Sequence, residues 1–156
     1  MKIALRICLR CLFVCGLWLA ASGNAATFTV DDSQSQVLDG NMPMRWRSVS
    51  PARGDHIVQG TTRVQVRLNT AAWIGKSVRI YMALPAQPHG NVLAAWQTQS
   101  NVLLNGQLNA GQRGLVWSGV VPSALIEDTM VVNVQTDGRL LAAAQALRFY
   151  FEVDVP

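Results

Sequence analysis

From Val64 onward, apolar residues recur at every second position in short runs. Val64, Val66 and Leu68 alternate with Arg63, Gln65 and Arg67, and Val78, Ile80, Met82 and Leu84 alternate with Arg79, Tyr81 and Ala83. Met130, Val132 and Val134 repeat the pattern against Val131, Asn133 and Gln135. The last run is the clearest: Leu147, Phe149, Phe151, Val153 and Val155 against Arg148, Tyr150, Glu152 and Asp154. A period of two puts one set of side chains on a buried face and the other toward water. Such runs are half-buried antiparallel strands. Weaker runs predict strands at 92–97, 101–104 and 115–121, the last with Trp117 in phase with Leu115, Gly119 and Val121 toward the core.

The breaks between the runs carry turn chemistry. Asn105-Gly106 and Asp137-Gly138 predict two-residue hairpin turns, in which both central residues need positive φ. Residues 85–91 and 109–114 read as longer turns. Residues 140–147 (LLAAAQAL) have helix propensity but directly follow a hairpin signal, so a bulged strand is expected there. Seven or eight strands at this spacing, with no helix period, predict an all-β fold. The expected architecture is a single antiparallel β-sandwich of immunoglobulin-like type.

Residues 27–60 are different. Phe28 and Val30 alternate with threonines, then comes a polar, linker-like DDSQSQ run. Met44 and Trp46 predict another short strand, and residues 51–55 (PARGD) a turn. This stretch reads as an N-terminal extension that docks on a sandwich core at 61–156, not as a second domain.

The first 26 residues divide into a positive stretch (Lys2, Arg6, Arg10), an apolar run at 11–21 and a small-residue tail. That is the layout of a cleaved secretory signal peptide. The apolar run is only about half of the ~20 residues needed to span a bilayer, so no transmembrane anchor is expected. Cleavage is expected after Ala26. No twin-arginine pair is present, and Val14 before Cys15 is the wrong neighbour for a lipid-anchoring cysteine. The location implied is the periplasm, the cell surface or the medium.

Removing that segment changes the chemistry. Cys8, Cys11 and Cys15 leave with it, so the mature chain forms no disulfide and its stability comes from the core. About 130 residues suffice for one domain that buries nearly two-thirds of its unfolded surface. Three of the 13 basic residues also go, leaving ten against 9 acids. The pI of 9.4 is therefore largely the signal's, and nucleic acid is not an expected partner.

Catalytic and metal constellations are hard to assemble, and no cofactor is implied. His56 and His89 both sit among turn residues, and a site joining them to Asp55 requires two loops to converge. Asp55-His56 and Glu127-Asp128 are adjacent pairs, which on extended backbone point to opposite sides. No G-x-S-x-G occurs. Gly75-Lys76-Ser77 resembles the end of a phosphate loop, but Thr70 stands where the loop needs glycine and a strand follows instead of a helix. Arg53-Gly54-Asp55 is ordinary turn text.

Binding is the function class left. Arg79 and Tyr81 fall on the outward face of one strand and Arg148 and Tyr150 on that of another; in a single sheet they would form a mixed aromatic and basic patch. Phe28 and Val30 mark a strand tied to the sandwich by few local constraints, suited to adding to a sheet edge in its own chain or in a second copy. The general look is similar to small envelope modules such as fimbrial subunits and their accessory proteins. Two departures stand against an ordinary pilin: no cysteine pair, and Tyr150 seven positions from the end instead of penultimate. The expectation is a non-catalytic protein that binds other envelope or surface proteins, within a fimbrial or secretion assembly. The alternative is a carbohydrate-binding module stacking sugars on Trp73, Trp96, Tyr81 or Tyr150.

Overall fold

The chain folds like one long hairpin wrapped on itself. Its innermost pair is β6 (Val92–Thr98) with β7 (Gly106–Asn109), and around it lies β5 (Ser77–Ala83) with β8 (Arg113–Val120). Next outward, β4 (Ile57–Asn69) pairs with β9 (Leu125–Asp137) along all 13 residues of each. The outermost pair is β1 (Ala26–Val30) with β10 (Tyr150–Val155). Every pair is antiparallel. The computed structural model describes residues 26–48, 54–87, 90–140 and 147–156.

Two further pairings, β10 with β5 and β9 with β6, roll this hairpin into two sheets. One sheet has the order β1-β10-β5-β8. The other runs β4-β9-β6-β7, with the two-residue strands β2 (Gln36–Val37) and β3 (Arg45–Trp46) both on the outer side of β4. The all-β, two-sheet antiparallel architecture is thus as expected. The strand order is not that of an immunoglobulin domain, which sets several sequence neighbours side by side in each sheet. Here β6 and β7 are the one adjacent pair among the eight main strands, and the other connections cross between sheets. This is the order of a jelly roll. Alternation of side chains assigns faces to a strand but says nothing about its partner, so the two topologies share one sequence pattern.

The core lies between the inner faces. Val66, Leu68, Ile80, Val116, Met130, Val153 and Trp96 are all nearly inaccessible to water. Glycines admit the largest inserts. A Cβ on Gly106 or Gly114 would stand 2.6–2.7 Å from the Trp96 ring, one on Gly60 would strike Met42 and Met44, and one on Gly138 would strike Trp46. Met42, Met44 and Trp46 therefore bring the segment before β4 onto β4 and the end of β9. β4 itself runs through residue 60 without a break, and Val30 is buried in the same core as Val66 and Ile80.

Several local expectations are corrected. Residues 101–104 are not a strand but a loop, and Asn101, not Asn105, takes the positive φ (55°). Asn105 instead accepts from the Thr98 N–H and hydroxyl, and Gly106 begins β7 as the seat for Trp96. Asp137-Gly138 is not a tight hairpin either. Gly138 opens a short 3-10 turn (Gly138–Leu140), held by Asp137 accepting from the Arg139 N–H and guanidinium. The bulged strand expected at 140–147 falls mostly on 141–146, outside the described residues, and Leu140 belongs to the 3-10 turn. In β8 a bulge opposite Ile80 and Tyr81 resets the phase: Val116 turns into the core and Leu115 faces out, opposite Tyr81. Trp117 is half-buried against the core, on the same side as Ile80.

Candidate functional site

The outer face and rims of the β1-β10-β5-β8 sheet collect the residues singled out from the sequence. β5 and β10 are neighbours, so Arg79, Tyr81 and Tyr150 do share one face. Arg148 does not join them on a strand; it precedes β10 and is exposed. The register places Arg79 opposite Asp154 and Tyr81 opposite Glu152, so acids interleave with the expected basic and aromatic groups.

The residue missed from the sequence is Arg113. Its guanidinium lies 4.3 Å from the centre of the Tyr81 ring and reaches across it to Glu152 (3.4 Å) and Asp154 (2.9 and 3.1 Å). Arg113 holds the Asp154 carboxyl below its usual range, and the Thr27 hydroxyl, donating at 2.6 Å, adds to the effect. The patch is a neutral tie across all four strands of the sheet, not a basic surface. With Arg113 41% exposed, each contact is worth at most ~1 kcal/mol. It was missed because Arg113 sits at the end of a turn-like run; its place opposite Ala83 is what aims it outward.

β1 forms one rim of this sheet. Four of its five residues are exposed, and among the described residues its outer side has no strand partner. Val30, opposite Phe151, is 1% exposed; Phe28, opposite Val153, is 49% exposed with its ring 6.4 Å from that of Trp73. The polar run that follows is not a loose linker. Asp31 accepts from the Ser33 N–H, the Ser35 N–H donates to the Asp32 carbonyl, and the Asn69 N–H donates to the Asp31 carbonyl. β1 is therefore tied locally more firmly than its sequence implies.

Between the two sheets, beside the β1–β2 turn, lies a cleft of about 290 Å³. Its floor includes Val64, Met130, Val132 and Phe151, and Asp32 and Arg148 line it with them. Burial pushes the Asp32 carboxyl upward.

The aromatics proposed as sugar platforms are mostly unavailable. Trp96 is 2% exposed and donates its indole N–H to the Leu104 carbonyl. Trp73 is half-buried beside Phe28, and Arg113 covers Tyr81. Tyr150, 37% exposed, and the unforeseen Trp46, 50% exposed, remain open to a ligand. His56 gives its carbonyl to the Gly138 N–H, and Asp55 is held by Arg47, while His89 and Arg53 lie outside the described residues. Among the described residues no three His, Cys, Asp or Glu side chains gather as a metal site, and no helix is long and apolar enough to cross a membrane.

Another feature the sequence did not reveal is the seat of the 99–105 loop. Buried Asp128 accepts from the N–H groups of Ser100, Val102, Leu103 and Thr129 at 2.7–3.0 Å. The loop so held displays Val102 and Leu104, both nearly half exposed. No family model matches this chain, and neither does any curated protein or solved structure.

Proposed function

We propose that this chain is an exported, non-catalytic module that works by binding other proteins of the bacterial periplasm or cell surface, as a subunit or accessory factor of an envelope assembly. The observation that carries the reading is the β1 rim: a strand at the end of its sheet, bonded on one side to β10, with four exposed residues and an aromatic ring beside an edge that has no strand partner among the described residues. Unpaired backbone groups along such a strand bind another strand without any special side-chain chemistry. The titratable groups near it support the same reading. Arg113, Glu152, Asp154 and Thr27 satisfy one another across the face of the sheet, which leaves none of them poised to activate a nucleophile.

The test is a photo-crosslinking residue at position 28 or, as a control, at Thr61 on the outer face of the other sheet, in the exported protein in intact cells. Discrete protein adducts from position 28 and none from position 61 are expected. Equal labelling from both positions, or none from either, would contradict the reading. Trp96 is buried and Trp73 and Tyr81 are covered, so three of the four platforms named for the carbohydrate alternative are unavailable and Tyr150 alone of them stays open.

A further inference from the structure

The four-stranded sheet has a second rim that is partly open among the described residues, and its direction is complementary to that of the first. β1, β10, β5 and β8 are antiparallel at each step, so β1 and β8, at opposite ends, run in opposite directions. A second copy displaced sideways by simple translation presents its β8 antiparallel to β1, which continues the sheet's own pattern. A strand count of three or five would have produced a parallel mismatch instead.

The outer side of β8 is half closed and half open. The Leu104 N–H donates to the Val116 carbonyl at 2.7 Å, which closes the lower half. Val121 exchanges its groups with the opposite side, donating to Lys76 and accepting from Gly75. By alternation, Ser118 and Val120 direct their backbone groups outward like Val116, and among the described residues nothing meets them. Val120, 61% exposed, is the most exposed of the large apolar residues described.

Between the Asp31–Asn69 bridge that ends the β1 rim and the 99–105 loop that closes half of the β8 rim, the open stretches carry, among the described residues, none of the devices that keep edges apart, which are charged side chains, proline or a covering segment. Residues 27–30 and 117–120 (TFTV and WSGV) contain no charge and no proline. The other sheet does protect its β4 edge, with β2 and β3 laid along it and with the Arg63–Asp39 and Arg47–Asp55 ion pairs. Two open stretches of rim with opposite direction on one sheet, on a chain that protects its other long edge, are what a head-to-tail contact between identical copies requires.

We propose that the occupant of the β1 rim is the β8 rim, residues 117–120, of a second copy of this chain, so that copies join into a continuous sheet. The proposal rests on the protein-binding reading above and specifies its partner. Such a contact is heterologous: it does not close on itself, and repetition yields an open row. Each joint uses four or five residues per side, a small interface of the weak class, so association is concentration-dependent.

The test uses two edge variants, Thr29→Lys on β1 and Val120→Lys on β8, both at exposed positions. Far-UV circular dichroism confirms that each is folded; Ser118→Pro replaces Val120→Lys if that variant is not. In sedimentation velocity of the mature protein, the average mass of the wild type should at least double as concentration rises from ~10 μM to ~1 mM. Each variant alone should stay monomeric, because one of its two rims is blocked. Mixed in equal amounts they should form a heterodimer and nothing larger, since one intact β1 rim meets one intact β8 rim. A wild type that stays monomeric, or variants that fail to pair on mixing, overturns the proposal. Adducts from position 28 to a different protein would then leave the broader reading standing alone.

Discussion

The Trp96 ring lies where a side chain on Gly106 would be, 2.6 Å from the position of the missing Cβ. Trp96 is the largest fully buried side chain, and its N–H is satisfied by the Leu104 carbonyl, so the ring is fixed and has no room to yield. Gly106→Ala is expected to destabilise the protein by about 1–3 kcal/mol through overpacking. Chemical denaturation checks this, with Gly40→Ala as a poor control because its positive φ adds strain of its own. A better control is Ser118→Ala, which should be nearly neutral.

Phe151 is 4% exposed between the sheets, while Tyr150, its neighbour, is 37% exposed on the outer face. Phe151→Ala should cost about 3–5 kcal/mol and Tyr150→Ala less than about 1. Phe149, half-buried beside the cleft, should fall between them. Urea midpoints of the three variants settle the order.

Asp128 makes the 99–105 loop depend on pH. Burial raises its pKa, but four backbone N–H donors outweigh burial and hold it below the ordinary value. Its folded pKa is therefore depressed, and its contribution is fully present above the unfolded value of ~3.9. It is lost as pH falls through the lower folded value. Asp128→Asn turns one acceptor oxygen into a donor facing two N–H groups and should cost about 2–4 kcal/mol. Stability measured from pH 6 to pH 2 should decline in the wild type and decline less in the variant.

Processing should leave Thr27 as the first residue, with no cysteine in the mature chain. N-terminal sequencing of the exported protein checks the first point. A thermal midpoint unchanged by reducing agent checks the second.

What the sequence carried well was the facing of strands. Val66, Ile80, Val132 and Val153 are buried and Arg79, Tyr150 and Glu152 lie on the opposite face, because side-chain alternation is a local property. What it carried poorly was everything that depends on a distant partner. Gly106 and Gly138 read as turn residues, yet they are small because Trp96 and Trp46 lie on them. Asp128 read only as one of an adjacent acidic pair pointing to opposite sides of a strand, because the loop that covers it lies 25–28 residues away. Arg113 showed no pattern because its partners, Glu152 and Asp154, are two strands away. The β1 strand was visible as an isolated alternating pair, but its bond to Asp154 through Thr27 and the ordered turn after it were not.

The most direct measurement of the central claim is the native size of the protein released from the cell envelope, compared with that of the Thr29→Lys variant. Thr29 is exposed and lies opposite Glu152, so a lysine there disturbs the rim and not the core. If the protein works by binding through the β1 rim, the wild type should elute in a species larger than the monomer. The variant should elute as a monomer with its unfolding midpoint within about 0.5 kcal/mol of the wild type. Two monomers, or two identical large species, would contradict the account.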